Sequence, residues 1–168
     1  MSVDVFPLGE VLARIQYELF DWEDVPSEAD AVDEVNMAIT LSWGNAASTR
    51  IRWANPGWWD VEGLEFGGEP RRGLQLFDAS KRWAFLIGET LEDVSFSRTP
   101  SSVDLVWAVN LGFSGGKHLV VALGELVDSV PSYMPDTLVV TSSESVARSY
   151  WPTNRDGRWT LGPAWGDV

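Results

Sequence analysis

Few residues in this chain have the types and spacing that chemistry requires. His118 is the sole histidine and there is no cysteine. A histidine metal cluster or a Ser-His-Asp triad would have to turn on that one ring, and thiolate chemistry is excluded. His118 follows Gly115-Gly116 at the start of a predicted strand, the place of an incidental hairpin residue. Gly112-Phe113-Ser114-Gly115-Gly116 has the glycines of a phosphate loop but no helix behind it, and such loops work by aiming helix N-terminal amides at the anion. Carboxylate pairs need no fixed sequence spacing, yet Glu10 and Glu89 hold matching places in a repeat, which points to a turn role for both. Asp30-Ala31-Val32-Asp33-Glu34 lacks the glycine and spaced ligands of a calcium loop. The expectation is a non-enzymatic chain with no metal and no cofactor.

Two segments carry binding chemistry instead. From Ile15 to Thr49 there is no Lys or Arg, while Glu18, Asp21, Glu23, Asp24, Glu28, Asp30, Asp33 and Glu34 fall within that stretch. Trp22 stands among these acids. Carboxylates steer a basic surface toward them and an aromatic ring anchors it, so Trp22, Glu23, Asp24, Glu28, Asp30, Asp33 and Glu34 are the expected contact set for a basic protein partner. The second segment is Asn55-Pro56-Gly57-Trp58-Trp59-Asp60. Two adjacent Trp in an extended segment cannot both point inward, so Trp58 and Trp59, with Asp60, offer an alternative stacking platform for a carbohydrate or other small ligand. A structural or assembly subunit is the third reading.

The elements that must position these residues are strands. Asn36 to Trp43 and Ser48 to Ala54 alternate in hydropathy around Gly44-Asn45-Ala46-Ala47, a hairpin, and Asn110 to Phe113 and His118 to Leu123 are joined by Ser114-Gly115-Gly116-Lys117, the same device. Val11 to Trp22 suits either a strand or a helix face. Leu74 to Phe77 and Trp83 to Ile87 are expected as two more strands, Thr137 to Thr141 as a buried one, and Glu144 to Tyr150 as a short helix capped by Ser142 or Ser143. Asp21 to Asp33 is loop-like.

Similarity within the chain organises these pieces. Leu8-Gly9-Glu10-Val11-Leu12 is echoed by Ile87-Gly88-Glu89-Thr90-Leu91, an offset of 79 residues from Gly9 to Gly88. Ala38, Ile39, Leu41 and Trp43 are echoed by Ala108, Val109, Leu111 and Phe113 at an offset of 70. The first copy therefore carries an insertion, and the acidic segment lies in it. Self-similarity in fixed order predicts one β-meander used twice. The expected architecture is β-rich α+β in a single domain, 1–168. It comprises a first meander over 8–66, a connector at 67–73, a second meander over 74–141, and a short helix with a tail over 142–168.

Composition narrows the class. The net charge of −13 disfavours nucleic-acid binding, which needs clustered Lys and Arg. No apolar run reaches membrane-span length, and residues 1–12 lack the basic and apolar regions of a secretory signal. A cytoplasmic location without membrane attachment is the expectation, and the sequence leaves the oligomeric state open. The stretch Leu86-Ile87-Gly88-Glu89-Thr90-Leu91-Glu92-Asp93-Val94, followed by Ala108-Val109-Asn110-Leu111-Gly112-Phe113-Ser114-Gly115-Gly116-Lys117-His118-Leu119-Val120-Val121, resembles a theme in small bacterial proteins. Several such families are known or suspected immunity proteins of polymorphic toxin systems. That resemblance implies a small, acidic, cytosolic, non-enzymatic protein that binds one cognate toxin and masks a basic active site.

Overall fold

Apolar side chains alternate over 38–53, where one face must be buried, and run nearly unbroken along the strands of 106–123, where both faces are buried; each run folds back at a turn as a hairpin. A computed structural model of the chain, describing residues 5–26, 31–54, 63–70, 72–98 and 105–150, has these hairpins at its centre. Its strands are β1 (Leu12–Leu19), β2 (Val32–Val35), β3 (Ala38–Trp43), β4 (Ser48–Trp53), β5 (Leu64–Phe66), β6 (Gln75–Asp78), β7 (Leu91–Arg98), β8 (Val106–Phe113), β9 (Lys117–Leu123), β10 (Glu125–Val127), β11 (Val130–Ser132) and β12 (Leu138–Thr141). One short helix, α1 (Glu144–Ser149), follows. Two antiparallel sheets run in the orders β5-β4-β3-β1-β6 and β2-β12-β9-β8-β7, with β10-β11 as a separate hairpin. The described residues are therefore β-rich, with one short α-helix toward the C-terminal end.

The ambiguity of Val11 to Trp22 has a specific cause. Leu12 and Ile15 are both fully buried although three residues apart, a spacing that reads as helical. The pairing of β1 with β3 passes from Leu12↔Trp43 to Arg14↔Ser42, so a bulge at this point resets the side-chain parity. The pairing of β7 with β8 does the same, passing from Leu91↔Phe113 to Asp93↔Gly112. Beyond the bulges, Ile15↔Leu41 corresponds to Val94↔Leu111, and Ile39↔Ile51 to Val109↔Val121. The two three-stranded units thus share register as well as order. They meet through reciprocal backbone hydrogen bonds. Gly9 N–H donates to Leu91 O and Gly88 N–H to Leu12 O, both at 2.8 Å, while Leu12 N–H donates to Glu89 O and Leu91 N–H to Glu10 O, both at 2.9 Å. Gly9 and Gly88 both hold positive φ, +85° and +91°, which favours glycine at each turn.

Sheet membership departs from the expected halves. β2 lies within the first half of the sequence but pairs with β12 at the edge of the second sheet, and β6, beyond the 67–73 connector, pairs with β1 in the first. Each half lends a strand to the other's sheet. A single apolar core spans both sheets, and Phe6, Phe66 and Phe96 stack around one another at 5.3 to 6.1 Å to join them. Trp43, Trp83 and Trp107 are core residues, and Trp53 is partly buried, donating its Nε1–H to Asn36 O at 2.8 Å.

Trp83 to Ile87 is not a strand. Residues 81–88 are successive turns, with Trp83 N–H on Ala79 O at 3.1 Å and Leu86 N–H on Trp83 O at 2.8 Å. Trp83 and Leu86 are buried while Ala84 and Phe85 are exposed, a period of three rather than two. Helix α1 matches its expectation, and Ser143 Oγ accepts the Val146 N–H at its N-terminus. Beyond it, Tyr150 donates its hydroxyl to Leu123 O at 2.6 Å and packs edge-on against Trp107. Gly124 lies beneath that hydroxyl: a Cβ there would sit 2.5 Å from Tyr150 Oη and 2.9 Å from Ser132 O. Glycine at this position leaves room for the Tyr150 hydroxyl and the Ser132 carbonyl.

Candidate functional site

The acidic segment begins where β1 ends. Glu23 N–H donates to Phe20 O at 3.2 Å, and the Glu23 carboxylate turns back to accept the Phe20 N–H, closing a compact loop. The other Glu23 oxygen accepts from Asn36 Nδ2. Asn36 is tied in turn to Trp53 through its carbonyl and to Thr137 Oγ1 through Oδ1 at 3.3 Å. Through Asn36, Glu23 therefore fastens the loop to β4 and to the residue ahead of β12. On this anchored loop Trp22 stacks on Phe20, with ring centroids 5.1 Å apart and planes within 8°, while remaining 72% exposed.

The segment then enters the edge strand β2, where alternation sends consecutive acids in opposite directions. Asp33 turns inward and is 1% exposed. It accepts the Tyr17 hydroxyl at 2.7 Å and forms an ion pair with Arg82 at 3.0 Å, and Tyr17 Oη also accepts the Trp83 Nε1–H at 2.5 Å. Burial, reinforced by the Asp33 charge, raises the Tyr17 phenol well above its ordinary value. Glu34 turns outward and accepts the Leu126 N–H of β10 at 2.6 Å.

Trp22, Asp24, Val25 and Pro26 from the loop, Val32 and Glu34 from β2, and Leu126 from the hairpin line a cleft of about 380 Å³, with Glu23 and Asn36 between them. Among the described residues no Lys or Arg lines it. Asp24 is exposed and forms no hydrogen bond or ion pair among the described residues. The cleft is thus an acid-lined surface with an aromatic ring already in place. Carboxylates beside an aromatic face and apolar walls have the chemistry to accept a cation carried on an apolar stem.

The expected contact residues therefore separate. Trp22, Glu23, Asp24 and Glu34 converge on the cleft, Glu23 and Glu34 with some of their oxygens already engaged. Asp33 is removed from the contact set, because its carboxylate is enclosed and bonded to Tyr17 and Arg82. Glu28 and Asp30, like the alternative platform Trp58, Trp59 and Asp60, lie outside the described residues. Leu126 and Val25 are additions that sequence reasoning missed. Val25 sits beside Pro26 in a run read as loop, and Leu126 belongs to a hairpin whose turn, Asp128-Ser129, lacks the glycine that signals one.

Other titratable groups take structural places. Glu18 and Arg50 form a bidentate pair at 2.6 and 2.7 Å, both buried. The Glu89 carboxylate accepts from Lys117 and Ser114, which lowers it below the usual carboxylate range, Lys117 contributing most. His118 is the second residue of β9 and pairs with Gly112, in the hairpin expected for it. Among the described residues no group of three or more His, Asp or Glu is placed to hold a metal ion, and no helix is long and apolar enough to cross a membrane.

Comparison with known proteins finds no family model, no curated protein and no solved structure that matches this chain.

Proposed function

We propose that this chain is a non-enzymatic binding protein of the bacterial cytoplasm, the inhibitor or immunity partner of a basic toxin such as a nuclease. The observation that carries this reading is the cleft, where three carboxylates and an exposed, pre-stacked Trp22 stand together with no Lys or Arg among the described residues that line it. The mechanism is occlusion. The acidic surface takes the place that nucleic-acid phosphates would occupy on a basic active site, so charge brings the partner in and the ring and its apolar neighbours hold it. A net charge of −13, concentrated in this segment, extends the attraction beyond direct contact.

The matched registers, bulges and reciprocal hydrogen bonds of the two meanders also support reading them as copies of one unit, with the acidic loop as an addition to the first. Loops added to a rigid frame are where binding surfaces commonly arise.

Affinity capture from the native host, eluted with a salt gradient, tests the proposal. It predicts one basic protein released by salt, and loss of that protein when Asp21 and Asp24 are both changed to Lys. Capture of sugars or further copies of the chain alone, or of a partner indifferent to the charge reversal, would contradict it.

A further inference from the structure

We infer that the cleft receives an arginine side chain of the partner, its guanidinium laid on the open face of Trp22 and forked onto the carboxylates of Asp24 and Glu34. The inference rests on the occlusion reading above and specifies the chemistry of its central contact.

Three observations select this occupant. The first is the ring. Phe20 covers one face of Trp22 in a near-parallel stack, so the plane is held before any partner arrives, while the ring stays 72% exposed. An aromatic face fixed in this way is a ready seat for a planar cation, and its ordering cost has already been met within the loop.

The second is the acceptor inventory. Glu23 has both oxygens engaged, by Phe20 N–H and Asn36 Nδ2. Glu34 has Oε2 on Leu126 N–H, which leaves Oε1 open among the described residues, and Asp24 has both oxygens open. The free acceptors therefore belong to different carboxylates, on the loop and on β2. A guanidinium carries five N–H donors in a fixed planar fork and can address two carboxylates while stacking; an ammonium is a hydrated point charge that does neither as well.

The third is the wall. Leu126 and the half-exposed Val25 supply apolar surface beside the acids, which suits an alkyl stem under a weakly hydrated cation. A volume of about 380 Å³ has room for one long side chain. A neutral ligand of that size would desolvate the carboxylates with no charge in return.

The test uses the full-length protein, ¹⁵N-labelled on its Trp indoles, titrated at low salt with capped Gly-Arg-Gly and with the lysine and citrulline counterparts. The Trp22 indole signal is assigned by its loss in Trp22→Phe. The arginine peptide is expected to shift that signal saturably, the lysine peptide to bind about fivefold more weakly, and the citrulline peptide not to bind. Asp24→Asn should weaken the arginine response while the other indole signals stay in place. Citrulline acting as well as arginine, or an unmoved Trp22 signal, would overturn the assignment. If Trp22 is unmoved but the captured partner is still lost on charge reversal, the arginine seat fails and occlusion stands. If charge reversal also changes nothing, both fail.

Discussion

Glu34 and Leu126 stand 92 residues apart in sequence, and the Glu34 carboxylate accepts the Leu126 N–H at 2.6 Å. This bond joins the acidic segment to the β10-β11 hairpin and so creates the cleft as a two-walled feature. Glu34→Ala should release the hairpin. Because a hydrogen bond to a charged group is lost and the amide is left unpaired, the cost should be about 2 kcal/mol. Hydrogen exchange at the Leu126 amide checks the cause: it should accelerate in the variant, whereas unchanged protection would mean that the hairpin is held elsewhere.

Asp33 acts inside the protein. Asp33→Ala would remove the charged acceptor of the buried Tyr17 hydroxyl and one partner of the partly buried Arg82, an expected loss of about 3 kcal/mol by denaturant titration. Tyr17→Phe should cost about 1–3 kcal/mol. The pH signature separates it from simple packing loss. The folded state holds the Tyr17 phenol neutral well above 10.0, its ordinary value. Its contribution is therefore complete below pH about 10 and is lost as pH rises toward the folded-state value. Tyr17→Phe should flatten that alkaline decline, and an unaltered decline would assign it to other groups.

The tip of the β10-β11 hairpin holds Asp128 at φ +51° and Ser129 at φ +64°. L-residues adopt this region at a cost, and two-residue hairpin turns favour Asn-Gly here. Replacing Asp128-Ser129 by Asn-Gly should stabilise the protein by about 1 kcal/mol, a rise in Tm of about 2–4 °C. Calorimetry checks this, and a fall would show that the serine or aspartate side chain contributes more than the backbone strain removes.

Much of the frame could be read from sequence, and the reason is local. The β3-β4 hairpin carries a period-two pattern, β8 and β9 are apolar runs, each pair has turn residues between its strands, and Ser143 marks the start of α1 within one turn. Where the signal was not local, reading failed. Trp83 to Ile87 is a short apolar run, and strands and tight turns bury comparable side chains over so few residues. The exchange of β2 and β6 between sheets is decided by pairings across the whole chain, which no window contains. Asp33 was read as a surface acid because its compensating Arg82 lies 49 residues away. The same distance problem concealed Leu126, while Trp22 was visible because an aromatic among carboxylates is a local anomaly.

The most direct test of the account is the rate at which the captured partner associates with this protein, followed by stopped-flow Trp fluorescence across ionic strength. Wild type should associate fast at low salt and slow steeply as salt rises. The Asp21→Lys, Asp24→Lys double variant should associate about tenfold more slowly at low salt with a flatter dependence. Equal rates and equal salt slopes for the two proteins would contradict the claim that this acidic surface is what the partner meets.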